Sequence, residues 1–239
     1  MNIYTTQFDL PRKIFENFYR KNNIINCAMT HIPSGEDKIS KPASVSLPFL
    51  QNRLSKSRTY TILDVGCGNG RDIAYFTSQL DNLITYGIDI SQNAIEDAIR
   101  LNSNNPHATF ECKNWKDLDD TQYDIIYISG VYHFFNLSER ETFVEKFKGI
   151  LKPRGLFFLS TLSSNDTQYY GKGTPVKNDP HSFQTSEYFL HFCSEDELRE
   201  DFKFLYILDL FEFFHKNYAA DTEFHTMWML IGEKKYVYS

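Results

Sequence analysis

The sequence predicts an α/β fold in which a mostly parallel sheet carries helices on both faces. The first observation is an apolar strand at residues 61–65 that runs into three glycines at alternate positions and then into a helical pattern. The second is that strand-like and helix-like stretches keep alternating to about residue 161. Such strand–helix–strand units take right-handed crossovers and place their strands parallel in one sheet.

The composition fits one domain with appendages better than two domains. The 239 residues are 41% hydrophobic and 16% aromatic, which is enough apolar surface for a sizeable core. The formal net charge is −6, so the chain has no overall attraction to nucleic acid or to an anionic membrane. Nucleic acid is therefore not an expected partner, and the composition sets no oligomeric state.

The sequence predicts a cytoplasmic protein without a membrane partner. No apolar run approaches the ~20 residues of a membrane span, and the first ten residues lack the charged and apolar regions of a signal peptide. The cysteines form no C-x-x-C pair, and they are Cys27, Cys67, Cys112 and Cys193. This spacing favours reduced thiols over a disulfide framework or a structural zinc site.

Residues 1–57 are predicted to form an N-terminal helical or lid segment, followed by the main domain at residues 58–239. Pro11 opens an amphipathic pattern that indicates a short helix over residues 11–21. Residues 22–48 lack periodicity and predict a long connection, which is either a lid or plain packing. A helix over residues 47–54 is expected to lead into the first strand.

The glycine loop after the first strand predicts a nucleotide-type ligand site. Gly66, Gly68 and Gly70 let the backbone turn sharply and bring its N–H groups against a ligand. The helix over residues 71–80 then points its positive N-terminal end toward the same place. A dinucleotide fingerprint would need its third glycine at position 71, where this chain has Arg71.

The remaining core elements follow from caps and apolar spacing. Three later helices begin at capping signals, which are Ser91, Ser138 with Glu141, and Ser194 with Glu197. Two β-like runs at residues 204–214 and 224–232 predict an antiparallel closing pair of strands.

The glycine loop and the stretches after it resemble the class I S-adenosylmethionine-dependent methyltransferases. The pattern Asp64-x-Gly66-x-Gly68-x-Gly70 resembles motif I of that family. The other matching stretches are a strand ending in Asp89, a strand end before Asn114, a fourth strand at residues 123–135 and a fifth at residues 151–161. The resemblance implies a Rossmann-like fold whose seven-stranded, mostly parallel sheet has an antiparallel last strand.

The resemblance also implies S-adenosyl-L-methionine as cofactor, with S-adenosyl-L-homocysteine as product. In the family the acid at the end of the second strand binds the cofactor ribose, which points to Asp89. Either Asn114 or Asp117 would take the adenine amino group. The residues expected around the cofactor are Asp64, Gly66, Cys67, Gly68, Arg71, Asp89, Ile90, Asn114, Trp115 and Ser129.

The acceptor site is predicted between the active-site end of the fourth strand, at residues 129–135, and the polar insert at about residues 163–192. His133 is the candidate general base, because imidazole exchanges protons near neutral pH; alternatively it packs beside the cofactor. The insert follows the fifth strand, where loops of parallel sheets line the ligand crevice, although it could also be a surface loop. Its candidate substrate contacts are Tyr169, Tyr170, Lys172, His181 and His191.

The sequence therefore predicts methyl transfer to a small-molecule acceptor, with oxygen, nitrogen or a soft nucleophile such as sulfur left open. The acidic charge and the sequence Ser129-Gly-Val-Tyr132, in place of an Asn-Pro-Pro-Tyr motif, favour a small molecule over a nucleic-acid base. The alternatives are a methyltransferase for RNA or protein and a noncatalytic cofactor-binding regulator. No metal site is predicted, because His191, His215 and His225 lack zinc-site spacing.

Overall fold

A seven-stranded sheet forms the centre of the molecule. The computed structural model describes residues 39–186, 188–216 and 224–236. Within them the strands lie in the order β3-β2-β1-β4-β5-β10-β9, in which β1 to β5 are parallel and β10 is antiparallel to both of its neighbours. This arrangement confirms the predicted mostly parallel sheet with an antiparallel last strand.

The strands of this sheet are β1 (Tyr60–Val65), β2 (Leu83–Asp89), β3 (Ala108–Cys112), β4 (Tyr123–Ser129), β5 (Leu151–Leu162), β9 (Leu205–Lys216) and β10 (Phe224–Lys234). Three short strands form a separate antiparallel sheet, and they are β6 (Thr174–Pro175), β7 (Ser182–Gln184) and β8 (Phe189–His191). The insert after β5 thus contains a small sheet of its own, although its polar sequence predicted only a loop.

Helices cover both faces of the large sheet. They are α1 (Lys41–Arg53), α2 (Arg71–Gln79), α3 (Gln92–Leu101), α4 (Leu137–Ile150) and α5 (Glu195–Asp201). Side chains of α1 and α2 share one buried cluster with alternate residues of β1 and β4, and those of α4 and α5 share another with the opposite face. The strands between them are buried on both sides, as expected of a parallel sheet.

Two of the three predicted helix starts are confirmed, and the third lies two residues earlier. The Ser91 hydroxyl accepts from Ala94 N, and the Ser194 hydroxyl accepts from Glu197 N. Helix α4 is capped by Asn136, whose side chain forms a reciprocal capping box with Glu139. The Ser138–Glu141 pair has the same spacing and is wrong as a cap, since Asn136 already satisfies the first turn.

Helix α1 begins six residues before the predicted position. Ser40 caps it by accepting from Ala43 N, and Pro42 lies in the first turn, where a missing N–H costs little. Pro48 lies inside the helix and does not end it. The predicted helix over residues 11–21 lies outside the described residues, as does most of the predicted connection, and the division at residue 57 stays a prediction.

No helix within the described ranges has the length and the apolar character that crossing a membrane requires.

Candidate active site

The glycine loop joins the end of β1 to the start of α2 in a conformation that side chains disfavour. Gly66, Gly68 and Gly70 all have left-handed φ angles, of 73°, 54° and 72°. A Cβ atom on Gly66 would lie 2.2 Å from Val131 Cγ2. The loop is held against β2, because the N–H groups of Gly66 and Cys67 both donate to the Ile88 carbonyl oxygen, at 2.8 and 3.0 Å.

Asp89, at the end of β2, shapes the loop with both of its oxygens. Oδ2 accepts from Gly68 N at 3.0 Å, and Oδ1 accepts from Ser91 N at 2.9 Å. Burial raises the pKa of this carboxyl, although these backbone hydrogen bonds oppose the rise. Each oxygen keeps a second lone pair that can accept from a ligand hydroxyl. The ribose contact of Asp89 stays a prediction.

Two further carboxylates lie beside Asp89. Asp64 is 2% exposed, and its pKa is raised well above the usual range, first by burial and then by the charges of Asp72 and Asp89. Asp72 belongs to the first turn of α2, and its Oδ2 accepts from the hydroxyls of Ser40 at 2.6 Å and Tyr127 at 2.8 Å. Three acidic side chains therefore converge at the loop.

One edge of this acidic group has open hydrogen-bonding capacity. Asp72 Oδ1 and Arg71 Nε are both buried, lie 3.6 Å apart, and have no hydrogen bond within the described part of the chain. A buried acceptor and a buried donor without partners are costly unless a ligand or water satisfies them. The sequence predicts a contribution from Arg71 or Asp72 at the helix start, but it does not indicate the partners of Asp72, which are 32 and 55 positions away.

The predicted adenine side of the site lies after β3. Asn114 caps a short 3-10 helix, Trp115–Asp117, and its side-chain oxygen accepts from Lys116 N at 3.0 Å. Trp115 is 5% exposed and packs its ring against Phe135, Phe143 and Phe147. Neither Asn114 nor Asp117 is settled as the adenine contact.

Three other predicted cofactor residues lie at the same end of the sheet. Cys67 is 8% exposed, and burial raises the pKa of its thiol, which keeps it protonated. The Ile90 carbonyl oxygen lies 3.6 Å from Cys112 Sγ, in the turn after β2. At the end of β4, Ser129 Oγ lies 3.1 Å from Ser160 Oγ on β5. Because β1 and β4 are parallel neighbours, their carboxyl ends adjoin.

His133 lies in a second 3-10 helix, Tyr132–Phe134, directly after β4. Its side chain is buried, with its ring centroid 4.3 Å from that of Phe134. Strand β8 of the insert packs against this 3-10 helix. The candidate base and the insert therefore meet at the carboxyl end of β4, while a catalytic role for His133 stays a prediction.

The insert is anchored to the core by the buried carboxylate of Asp166, which accepts from Tyr169 N and from Thr226 N of β10, both at 2.6 Å. The predicted substrate contacts form two pairs. Lys172 Nζ lies 4.7 Å from the ring centroid of Tyr169, and Tyr170 OH lies 2.7 Å from His181 Nδ1. His181 has a left-handed φ of 62°, which is uncommon for a residue other than glycine.

His191 differs from the other predicted substrate contacts. It is 0% exposed, and its Nδ1 lies 2.8 Å from Ser182 Oγ. The sequence analysis also missed a buried ion pair beside it, in which Arg140 Nη2 of α4 lies 2.7 Å from Asp179 Oδ1 of the insert. A side chain enclosed by protein on all sides is a poor direct contact, so burial does not favour the substrate role predicted for His191.

The fold and the loop have counterparts among known proteins. Residues 63–157 match a family model described as a methyltransferase domain. A Burkholderia thailandensis 1,6-didemethyltoxoflavin-N1-methyltransferase, solved with that compound and S-adenosylhomocysteine, superposes with a TM-score of 0.67 at 18% identity, covering 95% of this chain and 88% of that one. Residues 63–157 therefore resemble a methyltransferase domain, and the chain has the fold of this Burkholderia thailandensis enzyme.

A second structure has the same fold over nearly the whole chain. Magnesium protoporphyrin IX methyltransferase from Synechocystis, solved with S-adenosylmethionine, gives a TM-score of 0.66 at 12% identity and covers 98% of this chain and 100% of that one. The prediction of a class I methyltransferase fold is therefore confirmed. The family match also supports the predicted enzyme class and its S-adenosylmethionine cofactor.

Curated relatives of this chain match it over only part of their own length. The cyclopropane-fatty-acyl-phospholipid synthase of Escherichia coli is 26% identical over 160 residues, which are 67% of this chain and 40% of that protein. The chain thus spans about two fifths of the length of the curated relatives it matches.

Proposed function

We propose that this chain transfers the methyl group of S-adenosylmethionine to a small-molecule acceptor. The observation that carries the proposal is the group of three acidic side chains, Asp64, Asp72 and Asp89, around the glycine loop. Burial and mutual repulsion raise the pKa of Asp64, which indicates a negative local potential. Such a site favours a ligand with positive charge and disfavours the pyrophosphate of a dinucleotide.

The residues around the loop fit this cofactor. S-adenosylmethionine supplies an activated methyl group on a positively charged sulfonium, together with an amino-acid zwitterion and a ribose. Asp89 has lone pairs left for ribose hydroxyls. The buried Asp72 Oδ1 and Arg71 Nε form an ion pair at 3.6 Å without a hydrogen bond among the described residues, and they offer an acceptor and a donor side by side. Val131 lies so close to Gly66 that the glycine loop has no room for a Cβ atom at this position.

The protein's task in this reaction is positioning. A nucleophile must approach the methyl carbon in line with the bond that breaks, and excluding water keeps competing reactions out. The acceptor site proposed for this task lies between the 3-10 helix of His133 and the insert. A base is needed only for an acceptor that has to lose a proton, and His133 is the proposed group for that case. The acceptor atom stays open.

Three observations support a small acceptor. The net charge is −6, strand β8 of the insert packs against the 3-10 helix that follows β4, and the Burkholderia thailandensis neighbour was solved with 1,6-didemethyltoxoflavin. A cytoplasmic location stays a prediction. The absence of a membrane partner and of a nucleic-acid partner also stays a prediction, and the oligomeric state is left open.

Two experiments test the proposal in order. Calorimetric titration with S-adenosylhomocysteine should give a micromolar Kd, which corresponds to about −8 kcal/mol, and NAD should give no heat of binding. The protein is then incubated with S-adenosylmethionine labelled on the methyl group and with small-molecule, protein and RNA fractions of a cell extract. Label in the small-molecule fraction supports the proposal. Label only in RNA or protein, or binding of cofactor without any transfer, contradicts it.

A further inference from the structure

Behind the 3-10 helix of His133, the end of the insert and helix α5 bring three side chains with metal-binding atoms together. They are His191, Cys193 and Glu197, and one ligand atom from each lies within 4.8 Å of the other two. His191 and Cys193 are 0% exposed, and the Glu197 side chain is 23% exposed. The residues converge because β8 ends beside α5, whose Ser194 cap turns the third helical residue back toward the strand.

The ring of His191 is oriented by one nitrogen and leaves the other without a hydrogen bond. Nδ1 lies 2.8 Å from Ser182 Oγ. Nε2 lies 2.8 Å from Glu197 Oε1, yet it makes no hydrogen bond within the described residues. At this distance a well-aligned donor would form one, so the oxygen lies off the axis of the ring nitrogen. The buried ring nitrogen therefore keeps a lone pair or a proton that no described residue satisfies, next to two other potential ligand atoms.

The arginine beside the cluster is shared between two carboxylates. Arg140 Nη2 lies 2.7 Å from Asp179 Oδ1 and 3.6 Å from Glu197 Oε1, so the arginine is matched mainly by Asp179. The Asp201 carboxylate accepts a hydrogen bond from the Tyr132 hydroxyl at 2.8 Å. Burial raises the pKa of Asp201, which favours its neutral form. Glu197 is the more distant partner of Arg140, and it lies 2.8 Å from His191 Nε2.

We propose that His191, Cys193 and Glu197 bind a divalent cation of the zinc class. The ligands are His191 Nε2, the Cys193 thiolate and a Glu197 carboxylate oxygen, with a fourth position left for another ligand. Nitrogen and sulfur donors select zinc over magnesium or calcium. The Ser182 contact to Nδ1 has the place of the outer hydrogen bond that orients a metal-bound histidine.

The thiol proton is released to solvent when the cation binds, because only the thiolate coordinates. In the metal-free protein burial and the Glu197 charge raise the pKa of the Cys193 thiol, so that proton is present beforehand. The sequence analysis predicted no metal site because it considered the spacing of the histidines and the spacing of the cysteines separately. The proposal does not depend on methyl transfer or on its acceptor.

The test uses the full chain without a histidine tag, freed of metal by a chelator. Zinc is titrated in competition with a coloured chelator, and we expect one equivalent to bind with release of a proton. Cobalt in place of zinc should give the near-ultraviolet charge-transfer band of a cobalt–thiolate bond. Cys193→Ser and Glu197→Gln should lose tight binding, and Ser182→Ala should bind zinc about 10–100-fold more weakly. Cys112→Ser, a thiol outside the cluster, should bind as the parent protein does.

Three results would overturn the proposal. They are an absence of zinc binding by the parent protein, unchanged binding by Cys193→Ser, and a cobalt complex without the thiolate band. The first would mean that the three side chains contact one another without an ion. Since the cobalt band is measured on the parent protein, the test survives a variant that fails to fold. Titration with S-adenosylhomocysteine reports the cofactor site separately.

Discussion

The Gly68 N–H donates to Asp89 Oδ2 across 3.0 Å, so one carboxylate closes the glycine loop from the neighbouring strand. The group proposed to bind the ribose is therefore also a structural part of the loop. A substitution of Asp89 is therefore expected to change both ligand binding and the conformation of the loop.

Replacing Asp89 should weaken cofactor binding. Asp89→Ala removes both the proposed ribose acceptor and the hydrogen bonds to Gly68 N and Ser91 N, and we expect a loss of about 1–3 kcal/mol in S-adenosylhomocysteine binding. Calorimetric titration measures it. Asp120→Asn is the control, since the Asp120 side chain is fully exposed and far from the loop in sequence. Equal affinity for parent and Asp89→Ala would mean that the ribose assignment is wrong.

Two glycine-to-alanine changes should have opposite effects on stability. Gly66→Ala places a Cβ atom 2.2 Å from Val131 Cγ2 at a φ of 73°, and the left-handed backbone alone costs about 1–2 kcal/mol. Gly149 lies inside α4 with open space around it, so Gly149→Ala should stabilise by about 0.4–1 kcal/mol.

Denaturant unfolding measures both changes. The double variant Gly66→Ala/Val131→Ala should recover part of the loss, because it removes the methyl group in the way. A Gly66→Ala protein as stable as the parent would contradict the loop geometry.

The raised pKa of Asp64 should make the stability of the folded protein depend on pH. The raised pKa of Asp64 means that the folded state holds its proton to a higher pH than the unfolded state does. The stabilisation that protonated Asp64 contributes is therefore present at low pH. It falls as the pH rises from the pKa of Asp64 in the unfolded chain toward its pKa in the folded protein. Asp64→Asn should raise the Tm at neutral pH.

A cationic ligand should also favour the ionised carboxylates. Binding of S-adenosylmethionine should release more protons than binding of the uncharged thioether product, and calorimetry in buffers of different ionisation enthalpy measures the difference. Equal proton release for the two ligands would count against the electrostatic basis of the proposed function.

The buried ion pair between Arg140 and Asp179 should stabilise the position of the insert. Arg140 outweighs the effect of burial and holds the pKa of Asp179 below its usual range. The stabilisation from the Arg140–Asp179 pair is therefore present above the pKa that Asp179 has in the unfolded chain. It is lost as the pH falls through the pKa that Asp179 has in the folded protein. Arg140→Met leaves the Asp179 carboxylate buried and unpaired, and we expect a loss of about 3–5 kcal/mol in unfolding free energy.

The double variant Arg140→Met/Asp179→Leu should recover most of that stability, because no unpaired charge remains. Lys146→Met, which removes a surface pair with Asp120, should change stability little and is the matched control. A small effect of Arg140→Met would show that water reaches the pair in solution.

A general-base role for His133 predicts a loss of rate without a loss of cofactor. His133→Asn should lower kcat by about 10²–10⁴-fold for an acceptor that must lose a proton, while S-adenosylhomocysteine binding stays unchanged. The acceptor fraction that takes up label supplies the assay. An unchanged kcat with a lowered Tm would instead assign His133 to packing against Phe134.

The elements with local signals could be predicted from the sequence. The glycine loop, the strand ending at Asp89 and the caps at Ser91 and Ser194 depend on residues a few positions apart. Tertiary partners could not be predicted in this way, because Ser40, Asp72 and Tyr127 meet only after α1 packs against the sheet. The cap at Asn136 was missed because Ser138 offers the same spacing two residues later. The sheet of the insert was missed because its strands are only two or three residues long.

The order of β10 and β9 in the sheet has a consequence during synthesis. Strand β10 follows β9 along the chain, yet it lies between β5 and β9 and is paired with both. On the ribosome, β9 emerges with no edge to join, and the edge of β5 stays open until β10 has been translated. An open edge of a hydrophobic sheet is a site for pairing with other chains. The nascent protein should therefore depend on chaperones until its last described strand has left the exit tunnel.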